Sequence, residues 1–215
     1  MTTQSKERKK VMVIGPHPDD IELQVGGTIA KLTKEGHEVL ILVVVPDHTL
    51  NEHVIKLRKG EAEKSAQVLG AKIKILDENP HTLSVNQDIV NKLDKAIAEF
   101  QPDEVYIPWI YDSHQHHQVV ARATISATRR NKIAVYMYEQ AIPAGLVPQS
   151  FGPTTYIDIT ETINEKVKSI EAHESQVKKY EGIIEASVGR ASFRGFQVGV
   201  KYAETFCLVK EIKKV

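Results

Sequence analysis

Val11-Met12-Val13-Ile14-Gly15-Pro16-His17-Pro18-Asp19-Asp20-Ile21-Glu22 is the stretch on which the reading of this chain turns. Its opening residues are apolar without polar alternation, which suits a strand covered on both faces. An imidazole follows directly, with a carboxylate three residues further on. That spacing at the mouth of a strand can hold one divalent cation, and the carboxylate between them, Asp19, can work on a bound water. In open α/β sheets ligands gather at the carboxyl ends of the strands, where the winding reverses, and strand one commonly borders that point.

Outward from this stretch, apolar runs alternate with segments of helical period, the rhythm of strand-helix-strand units on a parallel sheet. Strands are expected at Val11 to Gly15, Val39 to Val45, Lys72 to Leu76, Glu104 to Pro108 and Ala134 to Glu139, with a terminal strand near Thr205 at the sheet edge. Gly26-Gly27 reads as a tight turn into a helix that Gly36 stops, and the pair lacks the spacing of a phosphate-cradling loop. Further helices are expected over Val54 to Leu69, Ile89 to Phe100 (stopped by Pro102) and from Ser113 onward. Thr162-Ile163-Asn164-Glu165 fits a capping box opening one long helix through Val177. Ala141 to Thr155, rich in proline and glycine, reads as a loop and a wall for a ligand.

With 215 residues, 41% hydrophobic and 26% charged, the chain suits one core rather than two large domains. The expected division is a flexible N-terminal segment, residues 1–10, and a single domain, 11–215. Basic and acidic residues number 28 each, so no overall field draws the protein to nucleic acid or an anionic membrane. The basic N-terminal stretch is followed by no apolar secretory segment, and the apolar run Val39 to Val45 is far short of a membrane span. A cytoplasmic location is expected. The lone Cys207 excludes an intramolecular disulfide and a cysteine-rich zinc site.

The fourth strand is followed by Asp112-Ser113-His114-Gln115-His116-His117, at the same end of the sheet as His17. In a helix starting near Ser113, His114 and His117 share a face and His116 points elsewhere. One of the pair is then a ligand and the other faces substrate. With His17 and Asp20 this makes a two-histidine, one-carboxylate set that leaves a position for water, as in catalytic zinc sites. Asp47-His48 reads as a solvated loop pair, His173 as a structural hydrogen-bonding residue, and Gln24 either narrows the pocket floor or faces solvent.

His17-Pro18-Asp19-Asp20-Ile21-Glu22, Gly26-Gly27-Thr28 and His114-Gln115-His116-His117 resemble the LmbE/PIG-L family of metal-dependent N-deacetylases. Arg58 to Ala62, Tyr138-Glu139, His173 to Gln176 and Tyr202 to Glu204 extend the resemblance over nearly the whole chain. It implies a Rossmann-like α/β fold, a mostly parallel sheet flanked by helices, and one Zn2+, with Fe2+ as the variant that the same donors accept. The implied activity removes an acetyl or related acyl group from an N-acetylated amino sugar or glycoconjugate, a small-molecule partner; a homo-oligomer is compatible with the family. By position, His17, Asp20 and His117 would bind the metal, Asp19 would be the general base, His114 would stabilise the oxyanion or donate a proton, and Arg58 would help hold substrate. The sequence departs from the family's usual His-x-Asp-His, with His116 at the acid's position. That departure motivates the rival reading, a non-catalytic sugar- or nucleotide-binding protein on the same fold.

Overall fold

Five parallel strands form the centre of the molecule: β1 (Lys10–Gly15), β2 (Glu38–Val43), β3 (Lys72–Ile75), β4 (Glu104–Pro108) and β5 (Ala134–Tyr138), in the spatial order β3-β2-β1-β4-β5. The structure, a computed structural model, describes residues 7–140 and 149–212. β7 (Ala203–Lys210) pairs antiparallel with β5, and β6 (Thr155–Asp158) pairs antiparallel with β7. The chain winds from β1 to β2 and β3 on one side and returns to β4 on the other. The crevice beyond β1 and β4 is therefore the switch point.

Residues alternate between two apolar layers. Met12, Ile14, Leu42, Val105 and Ile107 face one cluster, and Val11, Val13, Ile41, Val43 and Tyr106 face the other. Both faces of β1 and β2 are buried, which is why those strands read as unbroken apolar runs. Helices α1 (Asp20–Lys34), α2 (Glu52–Leu69), α3 (Gln87–Phe100) and α4 (Gln115–Thr128) follow the first, second, third and fourth strands. Asn51 and Asn86 cap α2 and α3 with their side chains. Gly70 (φ 68°) ends α2 in the left-handed region that glycine adopts without a steric penalty.

Several expectations are corrected. Lys10, assigned to the N-terminal segment, is the first residue of β1. α1 starts at Asp20, so Gly26 and Gly27 lie inside it rather than before it. Their smallness is a packing requirement: a Cβ on Gly27 would stand 2.6 Å from Ile159 Cδ1. The long helix expected from Thr162 is broken at Ala172-His173 into α5 (Ile163–Glu171) and α6 (Glu174–Lys179). Thr162 makes no side-chain cap there, because its hydroxyl donates to the Gly27 carbonyl at 2.8 Å. α7 (Ile183–Val198) and β6 were not anticipated, and β7 lies inside the sheet with β6 at its edge. Residues 141–148 of the expected loop lie outside the described residues.

At the middle of α1 a buried ion pair enters the helix. Glu204 accepts the backbone N–H groups of Gly27 (3.0 Å) and Thr28 (2.7 Å), while Lys166 Nζ donates to the carbonyls of Glu22 and Leu23 and to Glu204. Gln24 is buried beside it and accepts from Arg190. It neither faces solvent nor lines the crevice beyond β1.

Candidate active site at the carboxyl ends of β1 and β4

After β1 the chain turns sharply through Pro16-His17-Pro18-Asp19 before α1 begins. Asp19 is the N-cap residue and takes φ 95°, ψ −33°, a conformation costing a non-glycine residue about 1–3 kcal/mol. The buried Arg58 of α2 offsets that strain. Its Nη2 donates to the Pro18 carbonyl (2.5 Å) and to Asp19 Oδ1 (2.9 Å), while its Nη1 donates to Asp47 Oδ2 (3.1 Å). The carboxylate of Asp19 is thereby fixed at the cavity wall.

His17 Nδ1 lies 3.0 Å from Asp20 Oδ2, and His117 Nε2 lies 3.2 Å from the same oxygen. One donor atom each from His17, Asp20 and His117 falls within 4.8 Å of the others, and all three residues are buried. Outside this set, His117 Nδ1 faces Asp112 Oδ2 at 3.0 Å, and Gln140 Nε2 donates to Asp20 Oδ1 at 3.1 Å. A carboxylate behind a metal-facing imidazole fixes its tautomer and orientation. His114 is the N-cap of α4 and accepts the His116 backbone N–H on Nδ1 (3.1 Å). A neutral ring that accepts at Nδ1 carries its hydrogen on Nε2, so the network assigns His114 as an N–H donor.

The electrostatics favour a cation. Burial pushes Asp20 up, but His117 and His17 outweigh it and hold the carboxyl well below its usual range. Burial lowers His117, yet Asp20 and Asp112 reverse the sign and raise it to about 10. Burial drives His17 down to about 3 and His114 down to about 4, so both rings are neutral near pH 7. Asp19 is raised to about 7, mainly by burial, against the lowering effect of Arg58. A proton is thus held on His117 by two carboxylates. The nitrogen and oxygen donors match a divalent metal, which would take that proton's place.

Of the six residues expected at the site, His17, Asp19, Asp20, Arg58, His114 and His117 all line one cavity. Gln176, Lys179 and Tyr180 from α6 and its end form another wall. His116 does point away from the cavity that His114 and His117 line, but it is buried and touches the site from behind, with Nδ1 2.9 Å from His17 Nε2. The expected solvated pair divides: Asp47 is buried and holds Arg58, whereas His48 is exposed, with its ring centroid 4.3 Å from that of His17. Asp112 was missed as well, although it precedes His117 in the same loop. His173 is structural, with Nε2 3.2 Å from Glu22 Oε1.

A doubly wound α/β fold with a buried two-histidine, one-carboxylate centre at its switch point is the build of a Rossmann-like protein with a metal-type site. Residues 12–128 match the PIG-L family, described as GlcNAc-PI de-N-acetylase. The chain belongs to this family. The diacetylchitobiose deacetylase of Thermococcus kodakarensis is 33% identical over 192 residues, spanning 78% of this chain and 70% of that protein. The crystal structure of N,N'-diacetylchitobiose deacetylase from Pyrococcus horikoshii, complexed with its inhibitor MPG, superposes with a TM-score of 0.78 at 27% identity, covering 94% of this chain and 84% of that one. GalB, the 4-carboxy-2-hydroxymuconate hydratase from Pseudomonas putida, shares the fold at TM-score 0.81 and 20% identity, covering 96% of this chain and 98% of that one. Fold alone therefore does not set the reaction; the side chains in the crevice do.

Proposed function

We propose that this protein is a metal-dependent hydrolase that removes an acetyl or related acyl group from the nitrogen of an N-acetylated amino sugar or glycoconjugate. The observation that carries the reading is the convergence of His17 Nδ1, Asp20 Oδ2 and His117 Nε2, with Asp19 and His114 on the same cavity. His17, Asp20 and His117 would hold the ion, zinc by their nitrogen-rich set, with ferrous iron the alternative. The chemistry such an ion supplies when bound is Lewis acidity, which makes hydroxide available near neutrality and polarises the acyl oxygen.

Asp19, raised to about 7 by burial, has the affinity of a base that takes a proton from water near neutral pH and returns it. The water oxygen adds to the acyl carbon, its proton passes to Asp19, and the carbon–nitrogen bond then breaks as Asp19 gives that proton to the departing amine. His114, neutral and carrying Nε2–H, donates a hydrogen bond to the developing oxyanion. Arg58 acts through Asp19, which it holds in its strained conformation, more than through substrate.

The exposed Phe193 and Phe196, three residues apart on α7, offer an apolar face for a second copy, in keeping with a homo-oligomer. Among the described residues no helix is long and apolar enough to cross a membrane, and the proposal places the enzyme in the cytoplasm. The test is acetate release from a panel of N-acetylglucosamine derivatives with zinc present. Turnover that vanishes in Asp19→Ala supports the hydrolase. Ligand binding without turnover of any acylated substrate would support the binding-protein reading that His116 motivates.

A further inference from the structure

Behind the two metal-facing histidines stand two different partners. His117 is backed by a carboxylate, Asp112, whereas His17 is backed by another imidazole, His116. The His116 ring lies between two groups. Its Nε2 is 2.9 Å from the Pro80 carbonyl oxygen, and its Nδ1 is 2.9 Å from His17 Nε2. A carbonyl only accepts, so Nε2 of His116 must carry the hydrogen, and in the neutral ring its Nδ1 is then bare. The bare Nδ1 in turn requires a hydrogen on His17 Nε2, which leaves the lone pair of His17 on Nδ1; Asp20 Oδ2, 3.0 Å away, also only accepts, so in this tautomer the contact holds no hydrogen and calls for a cation shared by the two atoms.

From this chain of hydrogen bonds we infer that His116 is the positioning residue for His17: it accepts the Nε2–H of His17 and so presents Nδ1 to the metal. The inference rests on the reading of His17 as a metal ligand. It also explains how a histidine serves where the family's usual motif has an acid. Either residue accepts from His17, but His116 does so without adding negative charge behind the ligand.

The same imidazoles permit a competing arrangement, because His17, His48, His114 and His116 bring one nitrogen each within 4.8 Å of the others, close enough to suggest a second cation. The hydrogen bonds decide against it. Nε2 of His116 is committed to the Pro80 carbonyl, so its one remaining nitrogen, Nδ1, is the acceptor for His17 Nε2–H at 2.9 Å and neither atom has a lone pair left for a second ion. Moreover, His114 Nδ1 is already occupied by the His116 backbone N–H, so the neutral ring turns an N–H, not a lone pair, toward the cavity.

The test measures zinc dissociation constants by chelator competition, together with the absorption bands of the cobalt-substituted protein, for the wild type, His116→Ala, His116→Asn, His116→Asp and His17→Ala. Thermal melting confirms that each variant is folded. His116→Ala is expected to weaken zinc about 10–100-fold, the usual cost of losing a partner behind a metal ligand, and to shift the cobalt bands. His116→Asn, whose amide oxygen stands where Nδ1 was, should recover most of the affinity and the wild-type bands, and His116→Asp should bind zinc more tightly than the wild type. The inference is overturned if His116→Ala keeps wild-type affinity and bands, if His116→Asn is no better than His116→Ala, or if the wild type binds two zinc ions and His116→Ala loses one. Full zinc content in His17→Ala would instead sink the underlying assignment of His17. Loss of zinc there alongside an unchanged His116→Ala would sink only the role of His116.

Discussion

Helix α1 borders two buried ionic clusters that are completed in opposite ways. At its middle, Glu204 is answered by the ammonium of Lys166, and both side chains are 3% exposed or less. At its start, Asp20 and Asp112 share His117, whose charge depends on a proton. A lysine commits the chain to an internal cation that Glu204 holds against the lowering effect of burial, whereas an imidazole gives up its proton and becomes a donor for a metal. The middle of α1 is a closed structural joint and its start is an open site.

Breaking the open site has the largest expected consequence. His117→Ala should leave no stoichiometric zinc by elemental analysis and no turnover. Asp19→Ala should keep its zinc while kcat falls about 10²–10⁴-fold, the span of general acid–base contributions. Zinc lost from the Asp19 variant would count against its assignment as the base. Breaking the closed joint should act on stability instead. Lys166→Met leaves Glu204 buried without its partner and should cost about 3–5 kcal/mol in urea unfolding. An unchanged midpoint would mean that the ion pair contributes no more than an apolar contact.

The comparison sharpens with pH. Near neutrality His17 and Asp20 are already bare and His117 is protonated, with values of about 3 for His17, well below the usual range for Asp20, and about 10 for His117. Zinc uptake at pH 7 should therefore release about one proton, and affinity should climb about tenfold per pH unit until His117 titrates. Calorimetry in buffers of different ionisation enthalpy measures the proton count, and a count of zero would refute the charge on His117. Asp112→Asn keeps an acceptor oxygen but removes the charge behind His117, so zinc affinity should drop about tenfold. The smallest effect concerns the backbone: Asp19→Gly should gain about 1 kcal/mol of stability by relieving the strained φ, while losing turnover. A lower melting temperature in that variant would show that the contact with Arg58 outweighs the strain.

The parallel core was legible because its strands are buried on both sides and read as unbroken apolar runs, with Gly36, Gly70 and Pro102 as punctuation. α1 was read short because Gly26 and Gly27 look like helix breakers, and nothing local reveals that Ile159 demands their smallness. β6 is a four-residue edge strand that is only partly buried, and α7 exposes Phe193 and Phe196, so neither shows a clean hydrophobic stripe. At the site, His17, Asp19, Asp20, His114 and His117 stood in two compact motifs. The roles of Asp112 and Asp47 and the contact of His116 with His17 are not legible there, because their importance lies in which neighbour each touches, and that is set by the meeting of β1, β2 and β4. Their position just after strands of the same sheet was the one available signal.

The Lys166–Glu204 pair also separates the residues proposed to do chemistry from those that keep them in place. All the proposed ligands lie before residue 118, yet Gly27, Thr28, Glu22 and Leu23 are gripped by side chains from residues 159–204. A fragment cut after β5 would carry every proposed ligand and still leave α1 with a bare flank and unanswered amides and carbonyls. The C-terminal third is the vice that keeps the proposed catalytic loop in register.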